Sequence, residues 1–440
     1  MKTFRGSFLS YLLVFCCSAA VFGNGLAGAQ GGVETQRFRW KGATIRIAIS
    51  TSLLKQNSNI KPDSDVIGAV RRSIDAWRRV ANIEFQIDAA EKQGVSPAGN
   101  AGDGVSLITI AQTPENILFF SKDSDSASAK TRIFFNRRGF ITEADIVLNP
   151  FQQFSTDGTF GTYDLESTMT HEVGHLLGLR HSSVLGATML DNFGTNGVFG
   201  ISDFGPRTLS ESDIASIREL YGANPDADEC CGRISGRLSN ETRRAVKNLQ
   251  VWAEEVETGR VIAQVETAKD GSFRLGGLRA GNYALFWKAK DPTTATSIGD
   301  LGVVSVENAE NKILNQKIAV EPSEITLRHI GFNGQLANFA VPVNGGRSYV
   351  VYLGGKNLDA KSVSIDFRSP FFTVSRNSII NLDYGEDISV ISFEVIVDPI
   401  TPAGEYTIFV TSHNGLQACL VGGLTVDETA NPWSSPSIPN

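Results

Sequence analysis

The chain has 440 residues, more than one hydrophobic core usually serves, so two or three domains are expected. Its formal charge of −7 is modest for that size, and no Lys/Arg cluster forms a stripe that could follow phosphates, which excludes nucleic-acid binding as a working hypothesis. Past the leader only Cys230, Cys231 and Cys419 remain, so a disulfide framework is not what holds the fold.

In chain order, Lys2 and Arg5 precede an apolar run from Phe8 to Phe22 that is too short to span a bilayer comfortably. Ala27-Gly28-Ala29 follows, so residues 1–29 read as a signal peptide cleaved before Gln30, and the expected location is extracellular, or periplasmic in a Gram-negative bacterium. Bulky Phe15 before Cys16 argues against lipid attachment there. No later segment is apolar enough for a transmembrane span. Residues 36–223 mix strand-like runs (44–49, 106–110) with helical patterns, the first over 63–80, where Val66, Val70, Ile74 and Trp77 recur at three- and four-residue steps. Residues 121–130 read as a solvated loop, 132–135 as a cleft-lining edge strand or an ordinary hairpin strand. A helix over 164–177 carries Leu165, Met169, Val173, Leu176 and Leu177 as its apolar stripe. Another over 210–221 opens on Ser210 as N-cap, with Asp213 in the capping-box position and Ile214, Ile217 and Leu220 inward. Residues 224–229, with Pro225 just after that helix, read as a linker, and beyond them nearly everything alternates as short strands. Two all-β units, 230–320 and 321–428, and a disordered tail, 429–440, complete the expected organisation. On this view residues 230–440 are dispensable for the chemistry of the first unit on small substrates.

The chemistry sits on the 164–177 helix. His171 and His175, one turn apart, project from the same side and can place two imidazole nitrogens on one cation. Glu172 flanks them as a general base for a water on that metal. Gly178 can take the positive φ that ends the helix and turns the chain back, so that His181 supplies a third nitrogen and leaves a fourth position open, as a catalytic zinc requires. His329 and His413 read as hydrogen-bonded core residues.

The run His171-Glu172-Val173-Gly174-His175-Leu176-Leu177-Gly178-Leu179-Arg180-His181 resembles the metzincin signature in full, and Met189 lies where that clan places the methionine of its Met-turn. Within the clan it looks like a matrixin, since Ser182-Ser183 follows His181 and the stretch from Leu209 to Gly222 resembles the closing matrixin helix. The resemblance implies an α+β catalytic domain, a mixed twisted sheet with three helices, that hydrolyses peptide bonds with one zinc held by His171, His175 and His181, with Glu172 as base and Met189 as support. It also implies that 144–148 is an inner strand. Two departures stand out: Leu190-Asp191 replaces the Tyr-Pro common after a matrixin Met-turn, and Ser212 stands where the family often has an acid. No further histidine is present in this region for a structural zinc site, and the loop acids Asp157, Asp164 and Asp203 are the candidates for calcium.

Residues 233–320 resemble a carboxypeptidase-regulatory or transthyretin-like sandwich through Asp270-Gly271-Ser272-Phe273 and Leu278-Arg279-Ala280-Gly281-Asn282-Tyr283. The next unit resembles an immunoglobulin-like sandwich through alternating Ile391, Phe393, Val395 and Val397, and through Pro402-Ala403-Gly404-Glu405-Tyr406, similar to the approach to a tyrosine corner. The expected function is a secreted zinc metalloendopeptidase acting on protein or peptide substrates, with a surface or matrix ligand for its β-units. The alternative is a surface-binding or adhesin-like protein with a structural metal site, and the intact Glu172 weighs against it.

Overall fold

The computed structural model describes residues 38–42, 44–97, 102–120, 127–202, 205–226, 230–289, 298–321, 323–385 and 387–427. The expected signal peptide, the tail, Asp203 and part of the expected linker lie outside them. Among the described residues no helix is long and apolar enough to cross a membrane.

The first unit is built on a mixed sheet of six strands: β1 (Arg39–Trp40), β2 (Thr44–Ser50), β3 (Glu84–Ala90), β4 (Leu107–Thr109), β5 (Ala129–Phe135) and β6 (Phe140–Leu148). Its order is β1-β6-β4-β2-β3, all parallel pairs, with β5 antiparallel to β6 at the edge. The inner position of 144–148 is as the resemblance implies. Alternation along β6 feeds two cores. Ala144, Ile146 and Leu148 point to the helical face, while Val147 joins Leu107 and Phe120 on the other. Asp145, facing that second side, is buried and accepts the N–H groups of Ser96 (3.1 Å) and Leu107 (3.0 Å).

Five helices accompany this sheet: α1 (Thr51–Leu54), α2 (Val66–Val80), α3 (Pro114–Leu118), α4 (Leu165–Leu176) and α5 (Glu211–Tyr221). The two short ones were not expected. Each long helix has a side-chain cap: Asp65 accepts from Gly68 N, Asp164 from Ser167 N, and Ser210 from Asp213 N. Helix α2 crosses α4, and Trp77, with no exposed surface, donates its indole N–H to the Thr170 carbonyl at 2.9 Å.

Next, a four-stranded sheet (order Val261–Glu266, Leu249–Glu255, Gly281–Ala289, Gly299–Val306) faces a three-stranded one (Ser272–Leu278, Gly232–Ser239, Asn311–Lys317) over a shared apolar core. A third unit does the same, with strands Thr326–Phe332, Arg347–Lys356 and Ser389–Val397 opposite Gly404–Ser412 and Gln417–Val426. Tyr406 donates its hydroxyl to the Pro402 carbonyl at 2.6 Å, as a tyrosine corner would. Cys230 and Cys231 are joined by a disulfide, and Cys419 is a free, buried thiol. His413 is exposed and His329 half-buried, so neither is the core histidine expected.

These units do not hang from a linker as separate bodies. Helix α5 turns Ile217 and Leu220 to the first core and Ala215 to the second unit's core. Its Glu219 pairs with Arg233 and Arg274 at 3.0 and 2.6 Å. Gly277 meets α5 so closely that a Cβ there would lie 2.0 Å from the Ala215 carbonyl oxygen. Val184 and Ala187 share an apolar seam with Trp252, Val261 and Phe286 of the second unit and Phe409, Cys419 and Val421 of the third. Leu185 donates its N–H to the Val421 carbonyl at 2.9 Å.

Candidate metal centre

Helix α4 is fixed at both ends and along one side before any chemistry is considered. At its start, Asp164 is buried, caps Ser167 N at 2.8 Å and is gripped by the guanidinium of Arg207, whose Nε lies 3.1 Å away. Leu165, Met169, Val173 and Leu176 have no exposed surface. At its end, Trp40 donates its indole N–H to the Leu176 carbonyl (2.9 Å) and Tyr221 its hydroxyl to the Leu177 carbonyl (2.7 Å). Gly178 then takes a φ of +94°, and a Cβ there would stand 2.2 Å from the Phe38 carbonyl oxygen, so only glycine fits the turn.

The turn brings His181 back over the helix. Ring centroids lie 4.6 Å apart for His171 and His175, 4.7 Å for His175 and His181 and 5.3 Å for His171 and His181, and one nitrogen of each falls within 4.8 Å of the others. Among the described residues this is the group of three or more potential ligands. The Nδ1 of His171 lies 2.8 Å from the Thr188 carbonyl and that of His175 lies 2.9 Å from the Leu179 carbonyl. A carbonyl only accepts, so each Nδ1 carries the proton and each Nε2 presents its lone pair outward. Burial, and then the neighbouring His181, holds His171 down to about 4, and burial depresses His175 well below the ordinary histidine value. Two neutral imidazoles oriented by carbonyls, with the ring of His181 converging on them, are a donor set that fits one divalent zinc.

Glu172, next to His171 in α4, is buried, with Oε2 accepting a hydrogen bond from the Thr131 hydroxyl of β5. Burial pushes this carboxyl up to about 7, partly offset by the Thr131 hydroxyl and by the charge of Lys130. Met189 is fully buried beneath the triad, its Sδ so close to Gly174 that a Cβ there would come within 2.3 Å of it and 2.8 Å of Trp77 Cζ2. The Met189 N–H donates to Asp213 Oδ2 at 3.3 Å, and its carbonyl accepts from Ser182 N at 2.6 Å.

The three histidines read from the sequence are thus brought together, with Glu172 next to His171 on α4 and Met189 packed against Gly174 of the same helix. Thr131 and Asp213 were missed as site residues. Thr131 carried no motif, only its place on an edge strand. Asp213 was read as a helix cap, yet its side chain holds the Met189 turn and accepts from Ser210 Oγ at 2.8 Å. Of the calcium candidates, Asp157 pairs with Lys61, which holds it below the usual carboxylate range, and Asp164 serves Arg207 and the α4 cap.

A sequence profile of the matrixin family matches residues 119–222, the stretch from just after α3 through the triad to the end of α5. Metalloendoproteinase 1 of Glycine max is 29% identical over 196 residues, which are 42% of this chain and 54% of that protein. Metalloendoproteinase 5-MMP of Arabidopsis thaliana is 46% identical over 91 residues, 20% of this chain and 23% of its own. Metalloendoproteinase 1-MMP of the same plant is 28% identical over 195 residues, 42% of this chain and 45% of its own. The chain therefore spans about half the length, or less, of these curated relatives. Among solved structures, the pilin subunit BcpA of Bacillus cereus aligns at 14% identity over 43% of this chain and 66% of its own, with a TM-score of 0.18, and no argument rests on it.

Proposed function

Because this chain carries a matrixin-like domain, we propose that it is a secreted zinc metalloendopeptidase in which His171, His175 and His181 hold the metal and Glu172 is the base. The observation that carries this reading is the buried Glu172 carboxyl on the same helix as two neutral, carbonyl-oriented imidazoles on which His181 converges. A structural metal site needs the imidazoles but has no use for a buried carboxylate beside them. Zinc, when bound, supplies Lewis acidity toward a substrate carbonyl and toward water, and its charge favours the ionised form of the nearby Glu172.

The chain's own residues do the rest. Glu172 takes the proton of the attacking water and returns it to the departing amine. Thr131 keeps one oxygen of that carboxylate occupied, so the other faces the reaction. Among the described residues strand β5 pairs on one side only, with β6, and an extended peptide can add to its other edge within reach of Glu172. Met189 supports the floor and takes no part in bond breaking.

The test is metal analysis of dialysed protein together with cleavage profiling on a mixed library of short peptides, before and after chelation. About one zinc per chain and cleavage within peptide interiors, lost on chelation and restored by zinc, is the expected result. Zinc-loaded protein that cuts nothing would favour the adhesin-like alternative, and cleavage confined to chain ends would replace endopeptidase by exopeptidase.

A further inference from the structure

Residues 190–201 leave directly from the methionine beneath the triad. Leu190 bridges Ser182, the neighbour of His181, and Asn196 exchanges backbone bonds with the segment before α4, donating to the Thr162 carbonyl and accepting from Gly161 N, both at 2.9 Å. One flank of this stretch is therefore tied to the first unit. Its other flank belongs to the third.

Phe199 is fully buried and sits at φ 57°, ψ 11°, a left-handed conformation that a bulky residue adopts only when its surroundings impose it. The imposing groups are two side chains of a distant hairpin. Phe199 donates its N–H to Gln335 Oε1 at 2.8 Å, and its carbonyl accepts from Asn333 Nδ2 at 2.8 Å. Its ring meets Phe339 and Phe332 edge-on, with centroids 5.6 and 6.5 Å away. The hairpin is itself stiff: Phe332 pairs with Gln335, leaving Asn333 and Gly334 as a two-residue turn with φ values of 50° and 78°, the Asn-Gly geometry that matches strand twist.

We propose that this hairpin is a positioning element of the peptidase cleft: by gripping Phe199 it fixes residues 190–201 as the wall of the cleft, so the third unit helps decide which peptides enter. The proposal rests on the peptidase reading above. Asn333 and Gln335 act through the wall and touch neither metal nor substrate. Without the grip, Phe199 relaxes toward ordinary φ, and the wall moves while the triad, held by α4 and the Met189 turn, stays.

The experiment compares full-length, zinc-loaded wild type with Gln335→Met, which keeps the side-chain length and removes the acceptor, Gln335→Glu, which keeps an acceptor, and Asn333→Gly, which keeps the turn and removes the donor. Each is profiled on the peptide library with KM and kcat separated. For Gln335→Met, KM for the preferred peptides should rise about tenfold with kcat within about twofold, and the ranking of peptides should change. Zinc content should not change. Gln335→Glu should restore the wild-type ranking. Wild-type KM and ranking in Gln335→Met, or equal loss of kcat and zinc, would overturn the proposal. Should Gln335→Met fail to fold, Asn333→Gly decides by the same readings. A wild type that binds zinc and cleaves nothing brings down the peptidase reading instead, which the variants' comparison keeps separate from failure of the clamp.

Discussion

The two sides of the histidine triad are built by different means. On the α4 side, everything is local: a capped helix, a stripe repeating every three or four residues, and a glycine whose φ of +94° turns the chain back within the span of one motif. On the side of residues 182–201, almost nothing is local. Leu185 is bonded to Val421, Phe199 to Asn333 and Gln335, and Val184 and Ala187 lie in a seam with residues from both β-units. The lesson is that the chemistry of this site is specified at short range and its shape at long range.

The largest effect expected tests the local side. Glu172→Gln should lower kcat for peptide cleavage by roughly 10²- to 10⁴-fold with zinc retained, whereas His175→Ala should lose both metal and activity. Parallel metal analysis and kinetics check this, and a Glu172→Gln enzyme with most of its activity would remove the distinction between base and ligand.

Next comes the long-range side. Ending the chain after Asn224 strips the cover from Val184, Ala187, Leu190, Phe199 and Ala215, all buried in the full structure against the β-units. The truncated form should be poorly soluble or inactive toward short peptides, against the expectation from sequence that residues 230–440 are dispensable. Soluble, fully active truncated protein would show that the wall stands without its cover.

A smaller effect probes where the two sides touch. Gly174→Ala places a methyl where Met189 Sδ and Trp77 already sit, and should cost about 1–3 kcal/mol, read as a lower thermal midpoint and weaker zinc retention. An unchanged midpoint would mean that the floor yields freely.

The smallest effect concerns the seam. Glu254, buried and accepting the Trp252 indole N–H at 2.8 Å, is pushed up to about 7 by burial from an ordinary 4.5. Between those values the folded chain holds a proton that the unfolded chain releases, so stability falls as pH rises through this window and levels off above it. Glu254→Gln should flatten that decline in thermal midpoint between pH 5 and about 7.5. A slope identical to wild type would place the titration elsewhere, Glu405 being the other seam-side carboxyl that burial raises.

How much could be read beforehand follows the same division. The grouping of His171, His175 and His181 and the three long helices were legible, because each leaves a trace within a few residues of itself, while the inner position of β6 followed from the matrixin resemblance. Thr131 was not, because a threonine in a strand gives no sign of which side chain it will meet across the sheet edge. Asp213 was read only in part: its capping-box contact with Ser210 is there, but one side chain at a helix start can serve a distant turn as well and the sequence shows only the nearer use. The direct packing of the β-units was invisible for a related reason. Ala215 on α5 and Gly186 in the turn are small residues whose neighbours, Gly277 and Thr425, come from far along the chain. Short polar stretches such as 223–226 look alike whether they separate two bodies or lie along a seam.

The bond from Leu185 to Val421 also sets a timetable. A chain made from its N-terminus has all three histidines long before it has the strand that ends at Val426, and domains generally fold as they emerge. The metal ligands can assemble early, but the wall beside them closes only after nearly the whole described chain has been synthesised. On the proposed peptidase reading, competence to recognise substrate is thereby postponed to the end of manufacture, and a prematurely terminated product would carry the histidines without the finished wall.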